Sequence, residues 1–121
     1  DRSEEPPPAC VGKGKPQDAD PEAIRRRELE RLRLSLGRLP DAAETRVALL
    51  HYPPVGADGR STAITRLLAE FRVGLCVFGH LHGLRGDPPP GADIAVDGVR
   101  CVLTSCDWLG FRPRLLAEIP A

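Results

Sequence analysis

Methionine is absent from the 121 residues, and the chain opens on Asp1. It begins where no ordinary reading frame would, so it is expected to be a fragment. Net charge is absent too: 17 basic and 17 acidic side chains cancel, which removes the electrostatic reason to expect nucleic acid or an anionic membrane as the main partner. No apolar run approaches the roughly 18–20 residues of a bilayer span. The polar, Pro-rich start lacks a signal-peptide pattern, and a cytoplasmic location is the expectation. Cys10, Cys76, Cys101 and Cys106 form no C-x-x-C pair, and two of them lie inside apolar, strand-like runs. Buried reduced thiols are expected rather than a disulfide framework.

What remains is an ordinary globular composition, 41% apolar and 28% charged, in a length that allows one domain at most. Residues 1–19 hold four prolines, two glycines and two lysines without apolar periodicity, which reads as a loop or flexible lead-in. Asp20-Pro21-Glu22 is a helix start, with Asp at the N-cap, Pro at the first helical position and an acid in the first turn. Leu29, Leu32, Leu36 and Leu39 recur three or four apart and mark a buried stripe, and Gly37 is placed to close the helix near 35–36. The arginines at 25, 26, 27, 31 and 33 invite a nucleic-acid reading. Glu22, Glu28 and Glu30 among them favour a solvated amphipathic face.

Beyond the helix, residues 46–50 and 73–78 are short apolar runs of the kind parallel strands show when both faces are covered. Between them Ser61 is the expected N-cap of a helix that buries Ile64, Leu67, Leu68 and Phe71. Strand, helix, strand is a βαβ unit with parallel strands. A Pro-rich surface loop over 84–92 follows. Residues 93–96 and 99–103 then flank Asp97-Gly98, a strong hairpin signal, and 114–119 reads as a last strand. The fold class is α/β: helix, βαβ unit, β-hairpin and C-terminal strand.

The chain has three histidines, and each follows a strand-like run. His51 heads His51-Tyr52-Pro53-Pro54, where two prolines end the ladder. His80 and His82 lie in Gly79-His80-Leu81-His82-Gly83, two apart, so that in an extended segment their rings share a face. Parallel neighbours put their carboxyl ends on one edge of the sheet, where open α/β folds bind ligands. His51, His80 and His82 are therefore candidate metal ligands, since neutral imidazole is the commonest one. The flanking glycines are read as letting backbone approach an ion or anion closely. The alternative is three satisfied polar residues at the edge of a core. Asp107, beside the only tryptophan, either caps a turn while the indole packs or orients a metal-bound histidine.

The His-Tyr-Pro-Pro strand exit, followed about thirty residues later by Gly-His-x-His, resembles the last two metal-binding segments of the calcineurin-like metallophosphoesterases. The helix around Arg27-Glu28-Leu29-Glu30-Arg31-Leu32 and the ending Ser105-Cys106-Asp107-Trp108-Leu109 are also similar to a bacterial phosphohydrolase branch of that family. The resemblance covers residues 20–121 and implies the C-terminal portion of an α/β sandwich. It implies that His51 and His80 ligate one ion of a binuclear manganese, iron or zinc centre and His82 the other. It further implies that the ions clamp a phosphate mono- or diester and acidify a bridging water for in-line attack.

The family's earlier segments, Asp-x-His, Gly-Asp-x-x-Asp and Gly-Asn-His-Asp/Glu, have no counterpart in this sequence. No catalytic residue is identified in the chain. It is expected to be nearly inactive alone and to need the missing N-terminal half of the domain as its partner. Two other readings stand beside this one. One is a mononuclear zinc hydrolase held by the three histidines; the other is a non-catalytic module that binds through the arginine-rich helix or an exposed sheet edge.

Overall fold

A computed structural model describes residues 20–120, so the expected lead-in over 1–19, Cys10 included, lies outside the described residues. The chain divides into two units, Asp1–Ser35 and Leu36–Ala121. Helix α1, Pro21–Leu36, fills most of the described part of the first and ends on the first residue of the second. Asp20 starts it: its carboxylate accepts the Glu22 N–H at 3.2 Å and its carbonyl the Ile24 N–H at 3.0 Å. Glu22 pairs with Arg25 at 3.9 Å and Glu28 with Arg31 at 3.3 Å. All four side chains are well exposed, so each pair contributes only about 0–1 kcal/mol. The helix ends at Leu36, just before Gly37.

The second unit is a four-stranded mixed sheet with one helix. Its elements are β1 (Val47–Leu50), α2 (Ala63–Glu70), β2 (Leu75–Phe78), β3 (Asp93–Val96) and β4 (Val99–Leu103), and the strand order is β1-β2-β4-β3. The βαβ expectation holds, with β1 and β2 parallel neighbours. The strands start one and two residues later than the apolar runs suggest. Arg46 stands outside β1 because its buried guanidinium reaches the carbonyls of Phe71 at 2.8 Å and Pro40 at 2.9 Å, tying the end of α2 to the loop before β1.

The pairing also decides which residues share a face. Ala48, Cys76, Cys101, Phe78 and Leu103 lie on one face and are buried, with α2 packed against β4. Val47 and Leu49 share the other face with Leu75 and Val77, and there Val47 is 42% and Leu49 77% exposed. The expectation that both faces of β1 are covered is thus corrected: among the described residues only one is. Cys76 and Cys101 face each other across β2 and β4 as buried, unbridged thiols. Contact with Cys101, together with burial, pushes the Cys76 thiol far up, so it stays protonated.

Helix α2 is capped by Thr62, not by Ser61. The Thr62 hydroxyl accepts the N–H groups of Ile64 and Thr65, both at 3.2 Å, and donates to the Pro54 carbonyl. Thr65 returns the capping box by accepting the Thr62 N–H at 2.8 Å. Ser61 instead donates to the Asp97 carboxylate at 2.6 Å, which Thr65 also contacts at 2.8 Å. These two hydroxyls hold the Asp97 carboxyl below its usual range. Asp97-Gly98 is the expected hairpin turn, with φ of 55° and 79°, the positive pair that matches strand twist in two-residue hairpins.

At its other end α2 closes in a Schellman motif, Val73 N–H to Leu68 C=O at 3.0 Å and Arg72 N–H to Ala69 C=O at 2.9 Å. The expected last strand over 114–119 is not formed. Side chains hold this segment instead of a ladder, Arg114 pairing with Asp93 at 2.9 Å and Arg100 donating to the Leu116 carbonyl at 3.3 Å. Pro113 has no N–H to start a ladder with. Among the described residues no helix is long and apolar enough to cross a membrane.

Arg72 occupies the left-handed C′ position, with φ of 60°, that glycine takes at no steric cost. Arg72→Gly is expected to raise the unfolding free energy by about 1 kcal/mol, measured by urea denaturation. A loss of stability would show that the arginine side chain has a role beyond the cap.

Candidate metal centre

Because β1, β2 and β4 are mutually parallel, the segments that leave their carboxyl ends share one edge of the sheet. Those segments are 51–54, 79–83 and 104–108. The Gly79 N–H donates to the His51 carbonyl at 3.2 Å and the Thr104 N–H to the Phe78 carbonyl at 2.8 Å, so all three exits are tied together by backbone.

His51 and His80 come together as the strand order requires. Their ring centroids are 5.1 Å apart at an interplanar angle of 63°, and Tyr52 stands 4.5 Å from His80 and 4.7 Å from His51. Imidazole nitrogens lie about 1 Å from the ring centre, so a centroid spacing of this size is compatible with one ion bridging the two rings at bonds of about 2.0–2.1 Å. The donor set, two exposed imidazoles, is of the kind that suits zinc, copper, iron or nickel.

The backbone at His80 is unusual. The Leu81 N–H closes onto the Gly79 carbonyl at 2.8 Å around a His80 φ of 73°, a γ-turn of the rare positive-φ kind. A histidine held there carries strain. A Cβ at Gly79 or Gly83 would meet no atom of the described chain within 4 Å. Neither is needed for a close approach within the protein, and of the two only Gly83, φ 75°, uses glycine's conformational freedom.

His82 turns to a different partner. Its Nδ1 is 2.9 Å from Asp107 Oδ1, while Asp107 Oδ2 accepts the Gly83 N–H at 2.8 Å and Oδ1 the Trp108 N–H at 3.0 Å. The Gly83 N–H, the His82 hydrogen bond and charge and the Trp108 N–H together lower the Asp107 pKa to about 2. An ionised carboxylate only accepts, so Nδ1 of His82 carries the proton. Asp107 thus fastens the turn it stands in and orients His82.

Among the described residues, one group of three or more His, Cys, Asp or Glu side chains brings ligand atoms within 4.8 Å of one another, and it is His82, Cys106 and Asp107. The three histidines do not form such a group, so a single zinc bound by all three would require His82 to leave Asp107. Leu81, between the two histidines, lines an apolar cavity of about 250 Å³ floored by Phe78 and Leu103 and walled by Pro53, Val55 and Pro89. Asp107 is already a candidate from its place beside the tryptophan; the signal that could have added Cys106 is its position in the same strand exit, whose parallel pairing with β2 the hairpin pattern does not announce. Compared with family models, curated proteins and solved structures, the chain matches none.

The folded-state pKa of Asp107 lies below its unfolded value, so its contribution is whole above about pH 4 and is lost as pH falls through about 2. Imidazole NMR should show the His82 signals shifting in that window, and Asp107→Asn should abolish the transition; an unchanged titration in that variant would contradict the pair. His80→Gly should be more stable than His80→Ala by about 1 kcal/mol or more, since only glycine relieves the turn. Equal stabilities by denaturant titration would mean that the turn is unstrained.

Proposed function

We propose that this chain is the C-terminal part of a calcineurin-like metallophosphoesterase, a metal-dependent hydrolase of phosphate mono- or diesters. In this reading His51 and His80 hold one divalent ion and His82 a second, the ions being manganese, iron or zinc. What carries it is the meeting of the His51 and His80 rings, 5.1 Å apart, at a sheet edge that the His82 segment shares. When bound, such ions supply charge neutralisation for the phosphoryl oxygens and a nucleophilic hydroxide at neutral pH. The chain's own part is positional. The His51 and Gly79 backbones are hydrogen-bonded, the γ-turn fixes the His80 backbone, and Asp107 holds His82, so the donor segments are gathered before any ligand arrives.

The same reading accounts for the open sheet face. Val47, Leu49, Leu75 and Val77 offer an apolar surface of the kind against which the second sheet of a sandwich packs. The occupant we assign to it is the N-terminal half of the same domain. That half would also bring the carboxylate and further ligands that two dications need, and the isolated chain is nearly inactive without it.

Two measurements test this. Metal titration of the chain joined to that N-terminal half should find two ions, one lost in both His51→Ala and His80→Ala, the other lost in His82→Ala; ion binding indifferent to His51 and His80 would refute the assignment. The coding sequence upstream of Asp1 should carry the Asp-x-His, Gly-Asp-x-x-Asp and Gly-Asn-His-Asp/Glu segments, and an in-frame stop immediately upstream would count against the whole reading.

A further inference from the structure

We infer that Cys106 and Asp107 are ligands to the ion held by His82, forming a mixed sulfur, oxygen and nitrogen site selective for zinc over manganese. The inference deepens the phosphoesterase reading by naming what surrounds the second ion. It shares only His82 with that reading and stands on donor geometry rather than on hydrolysis.

Three observations carry it. The first is distance. A tetrahedral zinc with bonds of about 2.0–2.3 Å spaces its donors about 3.3–3.6 Å apart. His82 Nδ1 and Asp107 Oδ1 are already at 2.9 Å, and one ligand atom from each of His82, Cys106 and Asp107 falls within 4.8 Å of the others. Small side-chain rotations close the site, and Cys106 and His82 are exposed and able to make them.

The second is charge. Two imidazoles bring none to an ion at His51 and His80, whereas a thiolate and a carboxylate beside His82 neutralise a dication within this chain alone. The third is rigidity. Asp107 is fastened through Gly83 and Trp108, and the turn behind it is closed by the Leu109 N–H to the Ser105 carbonyl at 3.1 Å and the Phe111 N–H to the Cys106 carbonyl at 2.8 Å. Cys106 and Asp107 are consecutive in that turn.

Protons balance simply. The Cys106 thiol releases one to solvent as the S–metal bond forms. The Nδ1 proton of His82 moves to Nε2 by tautomer exchange, leaving Nδ1 to bind. Thiolate is a soft donor, and its presence favours zinc or cobalt over manganese and magnesium.

Cobalt(II) is the probe, because thiolate ligation produces a sulfur-to-metal charge-transfer band in the near ultraviolet that nitrogen and oxygen ligands do not. The intact chain titrated with Co(II) should develop this band, and Zn(II) should displace it. Cys106→Ser should abolish the band, and zinc affinity should fall by more than the ~10–100-fold that loss of an outer-shell partner costs. Asp107→Asn and His82→Ala should weaken binding, while Cys10→Ser, His51→Ala and His80→Ala should leave the band in place. Circular dichroism melts confirm that each variant is folded. Absence of the band, or its loss in Cys10→Ser rather than Cys106→Ser, overturns the inference. Two cobalt ions bound through His51, His80 and His82 without the band would overturn it while sparing the phosphoesterase reading. A band with no second ion would support it and sink the binuclear assignment.

Discussion

Parallel pairing of β2 with both β1 and β4 is the constraint on which the remaining arrangement depends. A parallel neighbour must end where its partner ends, so three exits distant in sequence are delivered to one edge. Two of them carry the histidines and the third carries Cys106 and Asp107. Had β4 lain only beside β3, as a hairpin isolated from β2, Asp107 would have had no reason to reach His82.

Holding that edge in place is the work of side chains at the opposite ends of the strands and in the loops. The Asp97 carboxylate at the hairpin tip takes Ser61 and Thr65 at the start of α2, while Thr62 reaches back to the Pro54 carbonyl in the exit from β1. Arg46 ties the far end of α2 to the loop that precedes β1. Helix, hairpin and strand exit are thereby locked over the same buried face, where Leu68, Cys76, Cys101 and Leu103 are wholly excluded from solvent. The edge can then carry exposed imidazoles and a strained turn without losing its geometry, since strain persists only where the surroundings over-determine the backbone.

The two faces of the sheet divide the molecule's physics. One is a closed apolar core under α2. The other presents Val47 and Leu49 to solvent, beside Leu75 and Val77. Exposed apolar side chains gathered on one sheet face are a surface to be covered, and the histidines stand at its rim.

Much of this was legible in the residues themselves. Asp20-Pro21, the apolar runs around β1 and β2, and Asp97-Gly98 report α1, the βαβ unit and the hairpin, because caps, periodicity and positive-φ turns are local properties. The convergence of His51 and His80 followed from the βαβ geometry alone. Tertiary structure decided the rest, because each remaining feature depends on a partner far along the chain. The choice of Thr62 over Ser61 as cap depends on Asp97 claiming the serine. The absence of a strand over 114–119 depends on Asp93 and Arg100 holding that segment by side chains. The separation of His82 from the other two histidines depends on a carboxylate 25 residues away, brought within reach by a parallel pairing between β2 and β4 that no local pattern announces.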